Sequence, residues 1–94
     1  MIRSFADRAS LRVFQRLQVK RLSMDLQRAA CRKLLIIDAA GSIGDLRIPP
    51  GNRLDKLAGN REGQYSIRIN EQWRICFNWR GSDAFDVEIT DYHA

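Results

Sequence analysis

Histidine occurs once in this chain of 94 residues, as His93, and cysteine only twice, as Cys31 and Cys76. The two cysteines lie far apart and form no CxxC pair, so the chain lacks the ligand set of a structural zinc site and no metal site is expected. In a reducing compartment they are expected to behave as small, semi-buried hydrophobes rather than as a disulfide. Proline occurs only as the adjacent pair Pro49-Pro50, which removes two backbone donors and excludes helix interior there. No apolar run approaches the roughly 18 residues a membrane span needs. Met1-Ile2-Arg3-Ser4-Phe5 lacks the apolar stretch of a secretory signal, and these absences predict a cytoplasmic protein with no membrane partner. Internal repeats, low-complexity segments and a dividing linker are also missing, so residues 1–94 are expected to form one domain.

What the chain has is cationic charge of one kind. Its 13 Arg outnumber its 3 Lys, and the net charge is +5. Guanidinium engages phosphate bidentately where ammonium acts as a point charge, so the bias points toward a polyanionic partner. The charge is uneven. Residues 1–40 carry nine basic and three acidic side chains, and residues 41–94 carry seven and eight.

Residues 1–5 are apolar enough for an edge strand. Asp7–Leu17 has helical spacing, with Leu11, Phe14 and Leu17 on one face and Arg8, Arg12 and Arg16 on another. Ser23 predicts the N-cap of a second helix carrying Asp25 in its first turn. Leu26, Ala30, Leu34 and Ile37 form its apolar stripe, and Gly41 is a natural stop. Residues 48–52 read as an ordered loop leading to a short strand around 53–57, and Gly59–Gly63 as a turn. Three segments then alternate with period two. Tyr65, Ile67 and Ile69 face one way, as do Trp73, Ile75, Phe77 and Trp79, and then Phe85, Val87 and Ile89. This pattern predicts an antiparallel meander with one buried face, and the whole an α+β fold with two helices on the sheet's apolar side.

On the polar face, pairing Ile69 with Trp73 places Arg68 opposite Arg74. Like charges directly opposite in a sheet are unfavourable, by something under about 1 kcal/mol, unless an acid, water or a bound phosphate relieves them. A three-residue turn at Arg80-Gly81-Ser82 would set Arg74 against Glu88, and a five-residue loop against Thr90. Either register runs the end of the last strand back toward Arg74 and gathers Asp91, Tyr92 and His93 near the arginines. RNA cleavage by 2′-OH attack needs a base, an acid and a cation beside the phosphate. His93 titrates near neutrality, Tyr92 can donate a hydrogen bond or stack on a base, Asp91 can orient His93, and Arg74 supplies fixed charge.

Three segments resemble HigB-type toxins of the RelE/ParE superfamily, a toxin–antitoxin (plasmid maintenance killer) family. They are Asp45-Leu46-Arg47-Ile48-Pro49-Pro50-Gly51-Asn52-Arg53-Leu54, then Gly63-Gln64-Tyr65-Ser66-Ile67-Arg68-Ile69-Asn70 with Gln72-Trp73-Arg74-Ile75-Cys76-Phe77, and the ending Asp91-Tyr92-His93. The resemblance spans essentially the whole chain. It implies a RelE-like fold of two helices on a small antiparallel sheet, cleavage of mRNA in the ribosomal A site, and no metal or other cofactor. It also implies inhibition by a helix-turn-helix, HigA-like antitoxin whose complex binds promoter DNA. Carried onto this chain, Arg74, Asp91, Tyr92 and His93 match the family's functional positions, with Arg53, Lys56, Arg61 and Arg68 as expected phosphate contacts. The chain departs from some members at Asp55, where they have histidine, and at Ala58, where they have lysine. Asp55 would need burial to work as an acid–base group at neutral pH, and Lys56 on a strand faces the other way. Relatives on the same fold inhibit DNA gyrase without catalysis, which is the alternative function. A component that only binds antitoxin and DNA through its basic helices is a third.

Overall fold

The computed structural model describes residues 1–92. Helix α1 (Arg8–Phe14) starts at Asp7, whose carboxylate accepts from the Ser10 amide at 2.7 Å. It ends three residues before the expected Leu17. The Leu17 amide reaches back to the Arg12 carbonyl at 2.8 Å and the Arg16 amide to that of Val13 at 3.0 Å, closing a Schellman motif. Arg16 takes the left-handed position of that motif, with φ of 63°, where glycine is usual. No glycine marked the stop, so helical spacing alone overran it. The buried face is accordingly Ser10 and Val13 rather than Leu11 and Leu17, which are exposed.

Helix α2 (Met24–Ala39) has the expected cap, Ser23 Oγ accepting from the Leu26 amide at 3.1 Å. Leu26, Ala30, Leu34 and Ile37 are buried, and Gly41 follows its last cap residue, Ala40. Buried Gln27 ties the helix to the preceding loop: its side chain accepts from the Val19 amide and donates to the Val19 and Leu22 carbonyls.

Four strands, β1 (Asp55–Lys56), β2 (Gln64–Arg68), β3 (Trp73–Arg80) and β4 (Asp83–Asp91), pair antiparallel in sequence order. The two helices cover the apolar side, where Ile67, Ile75, Phe77, Val87 and Ile89 join the helical stripe in one core. This is the α+β architecture expected. The N-terminal segment is not a full edge strand; it touches β4 through two parallel bridges, Ile2 with Ala84 and Phe5 with Val87.

The last hairpin differs from both expected loops. Arg80 pairs with Asp83 across a two-residue Gly81-Ser82 turn, and a bulge between Cys76 and Asn78 then shifts the register by one. The extra residue lies in β4, where Asp86 has φ of 53°. The bulge reverses the alternation upstream of it: Ala84 is fully buried, while Phe85 turns to the polar face under the Arg80 guanidinium. Downstream, Arg74 lies opposite Thr90 and Cys76 opposite Glu88.

Candidate active site

Residues directly opposite in an antiparallel sheet share a face, so the ladder maps the open side. Arg68, Arg74 and Thr90 form one row, and Asp55, Ser66, Cys76 and Glu88 the next. Arg68 and Arg74 are opposite each other as expected, and their side chains diverge. Arg68 Nε donates to the Asn70 carbonyl at 3.0 Å, toward the β2–β3 turn.

Arg74 is held from behind. Its Nε donates to Ser66 Oγ at 2.7 Å, and its Nη2 donates to the Arg53 carbonyl at 2.6 Å and the Ser66 carbonyl at 3.3 Å. A guanidinium has five N–H donors. These three are committed to the scaffold, and the two on Nη1 meet no hydrogen-bond partner among the described residues. The Tyr92 ring is in front, its centroid 5.7 Å from the guanidinium carbon. Tyr92 is in turn placed by its amide, which donates to the Gln72 carbonyl at 2.7 Å.

The loop that supplies the Arg53 carbonyl is built on Asn52. This side chain is fully buried and donates to the Leu46 and Ile48 carbonyls, both at 3.2 Å, while accepting from Lys33 Nζ. Arg53 itself adopts a left-handed conformation, φ 46° and ψ 56°, which turns its carbonyl toward Arg74 and leaves its side chain exposed. Sequence reasoning gave Arg53 a phosphate-contact role and missed the backbone role. It also missed Ser66, whose only signal was a small hydroxyl beside an arginine on the polar face.

The other expected residues scatter. Arg61 crosses the open face to Glu88 at 3.1 Å and Gln64 at 3.0 Å, so its charge is already paired. Lys56 lies over the Tyr65 ring, opposite in face to Arg74, and Asp55 is exposed beside it. Asp91 is opposite Trp73, hence on the other side of the sheet from Arg74, and accepts from Gln72 Nε2 at 3.1 Å. His93 lies outside the described residues. Beneath the row, the Cys76 thiol is fully buried, and that burial pushes its pKa up. No cluster of three or more His, Cys, Asp or Glu able to hold a metal occurs among the described residues, and no helix there is long and apolar enough to cross a membrane.

The family described as the RelE-like toxin of type II toxin–antitoxin system HigB matches residues 3–93. The chain belongs to that family. It is 54% identical to Toxin HigB-1 of Vibrio cholerae over 64 residues, 68% of this chain and 67% of that one. It is 39% identical to Endoribonuclease HigB of Proteus vulgaris over 61 residues, 65% of each. Among solved structures, a YoeB–YefM complex from Staphylococcus aureus superposes with a TM-score of 0.63 at 16% identity, covering 100% of this chain and 99% of that one. A YafQ mutant from E. coli gives 0.59 at 12% identity, covering 97% and 91%. At such identities these two share the fold, and the HigB match carries the family.

Proposed function

We propose that this HigB-family toxin is a ribosome-dependent endoribonuclease acting in the cytoplasm, cutting mRNA in the A site and restrained by a HigA-like antitoxin. The promoter DNA of the pair is reached through that antitoxin. The observation that carries the reading is Arg74, with three donors tied to Ser66 and Arg53 and two left on Nη1 at the open face. A cation fixed before substrate arrives needs no reorganisation as charge grows on the phosphorus. The relative named Endoribonuclease HigB supports the chemistry.

In the reaction a base removes the 2′-OH proton, the 2′ oxygen bonds to phosphorus, and the bond to the 5′ oxygen breaks as an acid protonates it. The products are a 2′,3′-cyclic phosphate and a 5′-OH. Arg74 Nη1 takes a non-bridging phosphate oxygen, Tyr92 stacks on or donates to the substrate, and His93 is the acid–base group. Asp91 orients His93 from the strand end. Arg68 holds a flanking phosphate, and Arg53 an adjoining one through its exposed side chain. Arg61 and Lys56 contribute less, being engaged with Glu88 and Tyr65.

The test maps 5′ ends on a defined mRNA in purified stalled ribosomes. Wild type is expected to cut in the A site, and Arg74→Ala and His93→Ala to lose roughly 100-fold or more. Intact mRNA together with stalled gyrase would replace this reading with the non-enzymatic one.

A further inference from the structure

Nearly half of the cationic side chains lie in one stretch away from the open face. Residues 12–35 carry seven basic side chains and a single acidic one, Asp25. In this stretch the end of α1, the following loop and the outer face of α2 enclose a groove of about 420 Å³. Buried Val13 and Gln27 form its floor. Three large apolar side chains stand open around it, Leu17 at 45% exposure, Met24 at 49% and Leu35 at 43%. Arg16, Arg28 and Arg32 also line it. None of the lining residues comes from the sheet, and the helices cover the sheet's apolar side, so groove and Arg74 lie on opposite sides of the sheet.

The pattern is selective. RNA would satisfy the arginines and leave the leucines wet. A second copy in a two-fold contact would set this basic rim against itself. An amphipathic segment with carboxylates flanking its apolar stripe satisfies both, since guanidinium pairs carboxylate bidentately and the stripe is buried between the helices.

We propose that the α1–α2 groove docks the antitoxin through an acidic amphipathic segment, whose apolar side chains fill the space between Leu17, Met24 and Leu35 and whose carboxylates pair with Arg16, Arg28 and Arg32. The proposal rests on the reading of this chain as a toxin with an antitoxin partner. It places docking apart from the reaction face, so the two are separable by mutation.

The experiment titrates the full-length protein with the antitoxin of its own operon by calorimetry and measures mRNA cleavage in the same preparations. Leu35→Glu and Arg32→Glu change exposed side chains, and circular dichroism checks that each variant folds. Each is expected to weaken binding by at least about tenfold, with wild-type binding falling steeply as salt rises and cleavage unchanged. Cys31 also lines the groove and is half-buried, whereas Cys76 is fully buried. A thiol reagent should therefore label Cys31 in the free protein and not in the complex. Unchanged affinity in both folded variants overturns the proposal, as does full labelling of Cys31 within the complex. It is equally overturned if the variants abolish self-association or ribosome binding and leave antitoxin binding intact. Should wild type fail to cut mRNA while the variants still lose antitoxin, the cleavage reading fails and the docking surface stands.

Discussion

Ser66 offers the sharpest test of how Arg74 is set up. Ser66→Ala removes the acceptor of the Nε donor at 2.7 Å and leaves the charge in place. Nη2 keeps the Arg53 and Ser66 carbonyls, so the guanidinium loses its Nε anchor and gains freedom about Nη2. Ordering a long side chain costs about 0.5–1.5 kcal/mol. Each 1.36 kcal/mol is about tenfold in rate, so Ser66→Ala should slow single-turnover cleavage by about 2- to 12-fold. Arg74→Lys keeps the charge but loses the planar fork that reaches Ser66 and Arg53 while presenting Nη1, and should fall further, by roughly 10- to 100-fold. Arg74→Ala removes the cation and should lose about 100- to 1,000-fold, corresponding to about 2.7–4 kcal/mol. The assay is quenched-flow cleavage on saturating stalled ribosomes, with ribosome binding measured separately. The ranking is the test. If Arg74→Lys cuts as fast as wild type, charge alone suffices and the fixed geometry is irrelevant. If Ser66→Ala is as damaged as Arg74→Ala, the serine has a direct role that this account lacks.

Asn52→Leu strips the buried anchor of the 46–53 loop and leaves the Leu46 and Ile48 carbonyls without their donor. It should cost about 2–4 kcal/mol in urea unfolding and slow cleavage more than that instability explains, because the Arg53 carbonyl is no longer held; normal cleavage in the folded fraction would refute the link. Asp45 accepts from the Gly41 and Ser42 amides at 2.9 and 3.2 Å, and these bonds hold its carboxyl below the usual carboxylate range. Its folded pKa is depressed, so its contribution is complete above the ordinary value of about 4 and is lost as pH falls through the lower folded value. Wild type should thus exceed Asp45→Asn in urea midpoint at neutral pH, with the gap closing only in that acidic window. Buried Cys76, its pKa pushed up by burial, should react with a disulfide reagent at pH 8 only on unfolding, while half-buried Cys31 reacts in the native protein; two equally fast thiols would contradict the placement of Cys76 beneath the arginine row.

Much of this fold is local in origin and so was legible in the chain. Ser23 with the Leu26, Ala30, Leu34 and Ile37 stripe specifies α2, and period-two alternation specifies β2 and β3 and the Arg68–Arg74 pairing. Motif segments around Pro49, Arg74 and Tyr92 were enough to reach the family. The tertiary structure decided what depends on contacts distant in sequence or on single backbone dihedrals. Arg16 ends α1 in a left-handed conformation that no residue type announced, and so exposes Leu17 to the groove. Asp86 does the same in β4, where one extra residue sends Phe85 outward and slides Thr90 opposite Arg74. Arg53 and Ser66 are 13 positions apart, and only folding brings a carbonyl of one and a hydroxyl of the other to the same guanidinium. Periodicity reports which face a side chain takes; it carries no information about which distant group will meet it there.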